Sequence, residues 1–126
     1  MIKPRKMNSV ILAVRDIAKS LAWYKEHFGF EKLYDVPGGV LIGADGTEVV
    51  LSQADEPEKA KKANEAKDIC IRLFAFEVAP EELDRSEEEF PEEADLTWID
   101  HERFRSCIID DPDGHSIELY VDKEIS

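Results

Sequence analysis

The sequence predicts an α+β fold made of two tandem βαβββ modules in a single domain, 1–126. Three observations predict it: an Asp-Gly hairpin that occurs twice, an order of elements that is run through twice, and a length suited to one core. A chain of this length buries roughly two-thirds of its unfolded surface, so no second independent domain is needed. Module one spans 8–53, a linker 54–68, and module two 69–122.

In module one, Val10, Leu12 and Val14 alternate with Ser9, Ile11, Ala13 and Arg15, the period of a strand with two different faces. Asp16 offers an N-cap for a helix over 17–28, whose apolar residues Ile17, Leu21, Tyr24 and Phe28 share one face, and Gly29 supplies a left-handed stop. Short β-prone runs follow at 30–36, 40–44 and 47–52, punctuated by Pro37-Gly38-Gly39 and by Asp45-Gly46. The stretch 54–68 has no large apolar residue, and Ala60, Ala63 and Ala66 cannot bury a helix face, which predicts a solvated, transiently helical linker.

From Cys70 the pattern restarts. A strand runs to Val78, Pro80 opens an acidic helix containing Leu83 and Phe90, and strands are expected at 96–99, 104–109 and 116–121. Residues 44–51 (ADGTEVVL) align without a gap on 112–119 (PDGHSIEL), an offset of 68, while Leu12 and Val14 fall on Phe76 and Val78 at an offset of 64.

One helix covers only one face of each module's sheet, so the other face is left for a partner or a ligand, and two modules can enclose a concave cavity. If Leu12 and Val14 pack on the helix, the cavity side carries Ser9, Ile11, Ala13 and Arg15 in module one, and Leu73, Ala75 and Glu77 in module two. On the closing strands that side carries Glu48, Val50 and Ser52, and Ser116, Glu118 and Tyr120. Tyr34 and Trp98 lie on middle strands whose parity the sequence leaves open, and Trp23 reads as a packing residue.

A net charge of −13 disfavours nucleic acid and anionic lipid as partners. It attracts cations, although residues 81–95, with nine acids and one Arg, account for −8 of it as a solvated segment. The basic start (Lys3, Arg5, Lys6) lacks the apolar run of a signal peptide and no segment is long enough to span a membrane, which makes the cytoplasm the default. Cys70 and Cys107 read as buried thiols of a reducing compartment, with a disulfide between neighbouring strands as the alternative.

The run VILAVRDIAKSLAWYKEHFGF (10–30) and the run DPDGHSIELY (111–120), with the repeat, resemble the opening and closing signatures of the vicinal oxygen chelate superfamily of glyoxalases, bleomycin-resistance proteins and extradiol dioxygenases. The resemblance implies paired βαβββ modules and a homodimer. It also implies four metal-ligand positions in the metal-dependent members, and these fall on Ser9, Val50, Leu73 and Glu118. Only Glu118 is of ligand type, whereas a catalytic divalent site usually needs three protein ligands. His27 reads as a helix-end residue, and His101 and His115 as loop or turn residues; a set of His101, Glu118 and Glu77 arises only under a different strand register.

Two functions are therefore weighed. The favoured one is metal-free binding of a small molecule, with Ser9, Glu48, Val50, Leu73, Glu77, Glu118 and Tyr120 as candidate binding residues and no cofactor; bleomycin-type ligands are cationic, as an acidic site would prefer. The alternative is a metal-dependent lyase, isomerase or dioxygenase of the same superfamily, with Glu118 as its first ligand.

Overall fold

The structure, a computed structural model, describes residues 1–66, 71–90 and 96–123. Cys70, the start of module two and the acidic exit at 91–95 lie outside the described residues. The chain divides into two compact units, Met1–Lys61 and Lys62–Ser126.

Unit 1 holds β1 (Ile11–Val14), α1 (Ile17–Phe28), β2 (Glu31–Val36), β3 (Gly39–Ala44) and β4 (Thr47–Gln53). Its strands form one mixed sheet in the order β1-β4-β3-β2, with β1 parallel to β4 and the remaining pairs antiparallel. Helix α2 (Pro57–Ala66) follows and carries the boundary between the units. The stretch expected as a solvated, transiently helical linker is thus mostly helix. Local chemistry accounts for it: Pro57 and Glu58 suit a first turn, Glu56 pairs with Lys59 at 3.4 Å, and Glu58 reaches Arg15 at 3.7 Å. Ala54 is buried and its N–H donates to the Val14 carbonyl, so the linker's first residue extends the β1 side of unit 1.

Helix α1 begins and ends where its cap residues stand. Asp16 is extended at φ −149°, and its carboxylate accepts from the Lys19 N–H at 3.2 Å. Such a cap stabilises a helix by about 1 kcal/mol relative to alanine. At the other end Gly29 takes φ 68°, its N–H donates to the Lys25 carbonyl, and the Phe30 N–H donates to that of Tyr24. The helix packs on β3 and β4 and buries Ser20 and Tyr24 completely. Tyr24 is the centre of an aromatic cluster, with its ring 4.9 Å from Trp23 and stacked at 6.0 Å on Phe30.

Unit 2 repeats the plan with β5 (Leu73–Glu77), α3 (Pro80–Asp84), α4 (Ser86–Glu89), β6 (Thr97–Asp100), β7 (Phe104–Asp110) and β8 (Ser116–Asp122). Its sheet order β5-β8-β7-β6 mirrors that of unit 1. The single acidic helix expected here is broken into two short ones, with Leu83 buried on the first and Phe90 capping the second. Neither has a side-chain N-cap, and between them the Arg85 N–H donates to the Glu82 carbonyl at 3.2 Å, a tighter turn than the α-helical one. The Ser86 hydroxyl also reaches the Glu82 carbonyl, at 3.5 Å.

The two registers confirm both repeat offsets. Ile11 pairs with Val50 on the β1–β4 ladder, and Ala75, 64 residues on from Ile11, pairs with Glu118, 68 residues on from Val50. The aligned Asp-Gly pairs nevertheless turn differently. Asp45 and Gly46 both take positive φ, 50° and 85°, as a two-residue hairpin between Ala44 and Thr47 requires. In the second loop only Gly114 does, because Pro112 favours an ordinary turn and one Asp111 carboxylate oxygen accepts from the N–H groups of both Asp113 and His115, each at 2.9 Å.

Candidate functional site

Strand parity decides which side chains each sheet leaves uncovered. In β1, Leu12 and Val14 are 4% and 1% exposed while Ile11 is 67% exposed, so the expected alternation holds. In β8, Ile117, Leu119 and Val121 are buried under the helical side, and Ser116, Glu118 and Tyr120 are half-buried on the other.

On the open face of unit 1, Ile11, Val50, Leu41 and Tyr34 form one row across all four strands. Tyr34 reaches that row because the β2–β3 register shifts between Lys32 and Tyr34, a bulge that the alternation of residues does not reveal. Glu48 is exposed opposite Gly43, Val50 is half-buried in the row, and Ser9 precedes β1 in the same alternation. The row itself is apolar apart from the Tyr34 hydroxyl.

The open face of unit 2 mixes carboxylates with apolar and aromatic side chains. Leu73 lies opposite Ser116, Ala75 opposite Glu118, and Glu77 opposite Tyr120 on β5 and β8. On the other flank of β8, Ile108 pairs with Glu118, Ser106 with Tyr120, and Phe104 with Asp122. The four candidates Leu73, Glu77, Glu118 and Tyr120 are thus neighbours on one face.

Two residues absent from the candidates complete this face. The Ser106 hydroxyl, fully buried, donates to Glu118 Oε2 at 2.9 Å, and Phe104 stacks on Tyr120 with ring centroids 5.3 Å apart and planes at 26°. His101 extends the stack, 4.8 Å from Phe104, and its Nδ1 accepts from the Arg103 N–H at 3.0 Å. Both Phe104 and Ser106 belong to β7, so only the cross-strand register could bring them to Glu118.

Trp98 pairs with Cys107 and therefore lies on the helical side, which decides the parity that the sequence leaves open. The cationic residues Arg105 and Lys123 follow that same parity, where Arg105 pairs with Asp84 and Lys123 with Asp100, each at 2.6 Å. The Lys123 ammonium holds the Asp100 carboxyl below the usual carboxylate range.

Cys107 is also on the helical side and fully buried, so it offers no nucleophile to the open face. Burial pushes its thiol pKa up, against a smaller opposing effect of the Ser86 hydrogen bond. In a Cys70→Ser chain, an aromatic disulfide reagent at pH 8 should titrate less than about one-tenth of a thiol in the folded protein and a full equivalent in denaturant. Rapid labelling without denaturant would contradict this burial. Because the folded pKa exceeds the unfolded one, the stabilisation from keeping this proton is complete below about pH 8.5 and declines as pH rises through the folded value.

The four metal-ligand positions that the resemblance implies carry few donor atoms. Ser9, Val50 and Leu73 provide one hydroxyl and two aliphatic groups, and one oxygen of Glu118 already accepts from Ser106. This set does not fit a catalytic divalent ion. Among the described residues there is no group of three His, Cys, Asp or Glu side chains placed to hold a metal, and no helix long and apolar enough to cross a membrane.

No curated protein sequence matches the chain. Among solved structures, a glyoxylase/bleomycin resistance protein/dioxygenase domain from Frankia sp. EAN1pec superposes with a TM-score of 0.77 at 20% identity, covering 97% of this chain and 95% of that one. The genomically encoded fosfomycin resistance protein FosX of Listeria monocytogenes, solved as a mutant with Mn(II) and 1S,2S-dihydroxypropylphosphonic acid, superposes with a TM-score of 0.68 at 18% identity, covering 94% and 90%. A lactoylglutathione lyase from Agrobacterium tumefaciens gives 0.61 at 22% identity, covering 94% of each chain. These likenesses establish the fold. The family profile described as Glyoxalase/Bleomycin resistance protein/Dioxygenase superfamily matches residues 6–119, nearly the whole length, and the chain belongs to that superfamily.

Proposed function

We propose that this protein binds a small organic molecule on its uncovered sheet surface and does so without a metal cofactor. The observation that carries the reading is the donor set at the superfamily's ligand positions: Ser9, Val50, Leu73 and a single carboxylate, Glu118, engaged by the Ser106 hydroxyl. A lone carboxylate holds a divalent ion weakly, because every missing ligand is replaced by water and the preformed geometry is lost. Half-buried apolar and aromatic side chains beside a few oriented polar groups are, by contrast, the usual lining of an organic-ligand site. Leu73 and Tyr120 beside Glu77 and Glu118 present such groups on unit 2, and Val50 beside Ser9 and Glu48 on unit 1.

The test is elemental analysis of protein purified without added metal, followed by thermal-shift screening. Zn, Ni, Fe and Mn are expected well below one ion per chain, with no stabilisation by these ions and no glyoxalase or ring-cleaving activity. Organic ligands should raise the melting temperature, since anything that binds only the folded state stabilises it. One chelator-removable ion per chain, coupled to activity, would falsify the proposal in favour of a metal-dependent lyase, isomerase or dioxygenase with Glu118 as first ligand.

A further inference from the structure

On the open face of unit 2 every strand position can be assigned from the ladders. Glu77, Asp110, Glu118 and Asp122 are on it, together with Tyr120, Phe104 and Ile108, and none of its described strand residues is Lys or Arg. Arg105, the one cation among the described strand residues of unit 2, is on the opposite side and paired with Asp84, and Lys123, just past β8, is paired with Asp100. Asp110 accepts from the Ser116 hydroxyl at 2.7 Å, and Glu118 accepts from Ser106 at one oxygen, Oε2.

A carboxylate accepts through both oxygens, so a hydroxyl on Oε2 orients the group and leaves Oε1 with acceptor capacity. Beside it stands the near-parallel stack of Tyr120, Phe104 and His101, half-buried or exposed, which offers ring surface to a flat partner. Ala75, directly across from Glu118, is the small side chain that leaves space over the strand pair, and Glu77 stands across from Tyr120. Oriented carboxylate, ring wall and a set of described strand residues without Lys or Arg together favour a flat cation over an anion, through charge-assisted hydrogen bonding and ring–cation attraction.

We infer that the open face of unit 2 recognises a planar organic cation, an amidinium, guanidinium or ring-borne ammonium, with Glu118 accepting from its N–H groups and the Tyr120–Phe104 stack covering its flat surface. The inference rests on the small-molecule-binding reading and narrows it to a ligand class. It also makes Phe104 a specificity residue and separates this face from the apolar row of unit 1.

The experiment is a titration of the full chain with benzamidinium chloride, followed by backbone amide shifts, with sodium benzoate as the anion of the same shape. Benzamidinium should saturate the protein, with the largest shifts on β7 and β8, and benzoate should not bind. Glu118→Gln should weaken benzamidinium by about tenfold and Phe104→Ala by about fivefold, while Glu26→Gln, exposed on helix α1 of the other unit, should leave affinity unchanged. Folding of each variant is checked by its dispersed amide spectrum. Equal binding of benzoate, unaltered affinity of Glu118→Gln, or no benzamidinium binding at tens of millimolar would each overturn the inference. If neutral or anionic compounds then still stabilise the protein, the small-molecule reading survives alone; stoichiometric metal removes that reading instead.

Discussion

Gly43→Ala should cost more than about 4 kcal/mol, enough to remove the cooperative unfolding transition of unit 1 from a urea melt. A Cβ at Gly43 would overlap the backbone carbonyl oxygen of Thr47 and lie 3.1 Å from the Glu48 Cα, so relief requires β3 and β4 to separate. Those strands pair from Gly39↔Ser52 to Ala44↔Thr47 and carry the buried residues Val40, Ile42, Val49 and Leu51, which means separation opens the core. Gly39 is placed the same way against the Leu51 carbonyl. The control is Gly46, where a Cβ meets nothing within 4 Å and only the φ of 85° resists alanine. Gly46→Ala should therefore cost only about 1–2 kcal/mol. A Gly43→Ala midpoint close to that of the unaltered chain would show that β3 and β4 can shift without loss.

Tyr24→Ala should lower the unfolding free energy by about 3–5 kcal/mol, the range for removing a buried aromatic side chain. The ring is 0% exposed and touches Trp23, Phe28 and Phe30, so a small replacement leaves a void lined by rings anchored in α1 and at the start of β2. Leu33 is the matched surface comparison. It is 46% exposed at the β2 bulge, and Leu33→Ser should stay within about 0.5 kcal/mol. Chemical denaturation monitored by fluorescence and by far-UV dichroism measures both, and a Tyr24→Ala cost below about 1 kcal/mol would mean that the cluster collapses onto the space.

The contrast between Tyr24 and Leu33 shows what the linear pattern can hold. Helix α1 was legible to the residue because its signals are local: Asp16 and Gly29 act on backbone groups within one turn of themselves. The strand faces of β1, β4 and β8 were legible because a period of two needs only one anchored position, and the offsets of 64 and 68 reappear in the paired Ile11↔Val50 and Ala75↔Glu118. Glu118 and Tyr120 followed from that periodicity alone.

Tertiary structure decided everything that depends on a neighbouring strand. Gly43 looks like an ordinary member of a β-prone run until β4 is laid against it, and the bulge that turns Tyr34 outward exists only in the β2–β3 register. Ser106 and Phe104 are separated from Glu118 by 12 and 14 residues, and no local period links them. The acidic segment after Pro80 had the composition of one helix, yet a tight turn at Arg85, whose N–H donates to the Glu82 carbonyl, and a Ser86 hydroxyl bonded back to that same carbonyl divide it in two. Propensity and alternation act over one or two turns of chain, whereas the contacts that orient a carboxylate or forbid a methyl group come from chain brought back by the sheet.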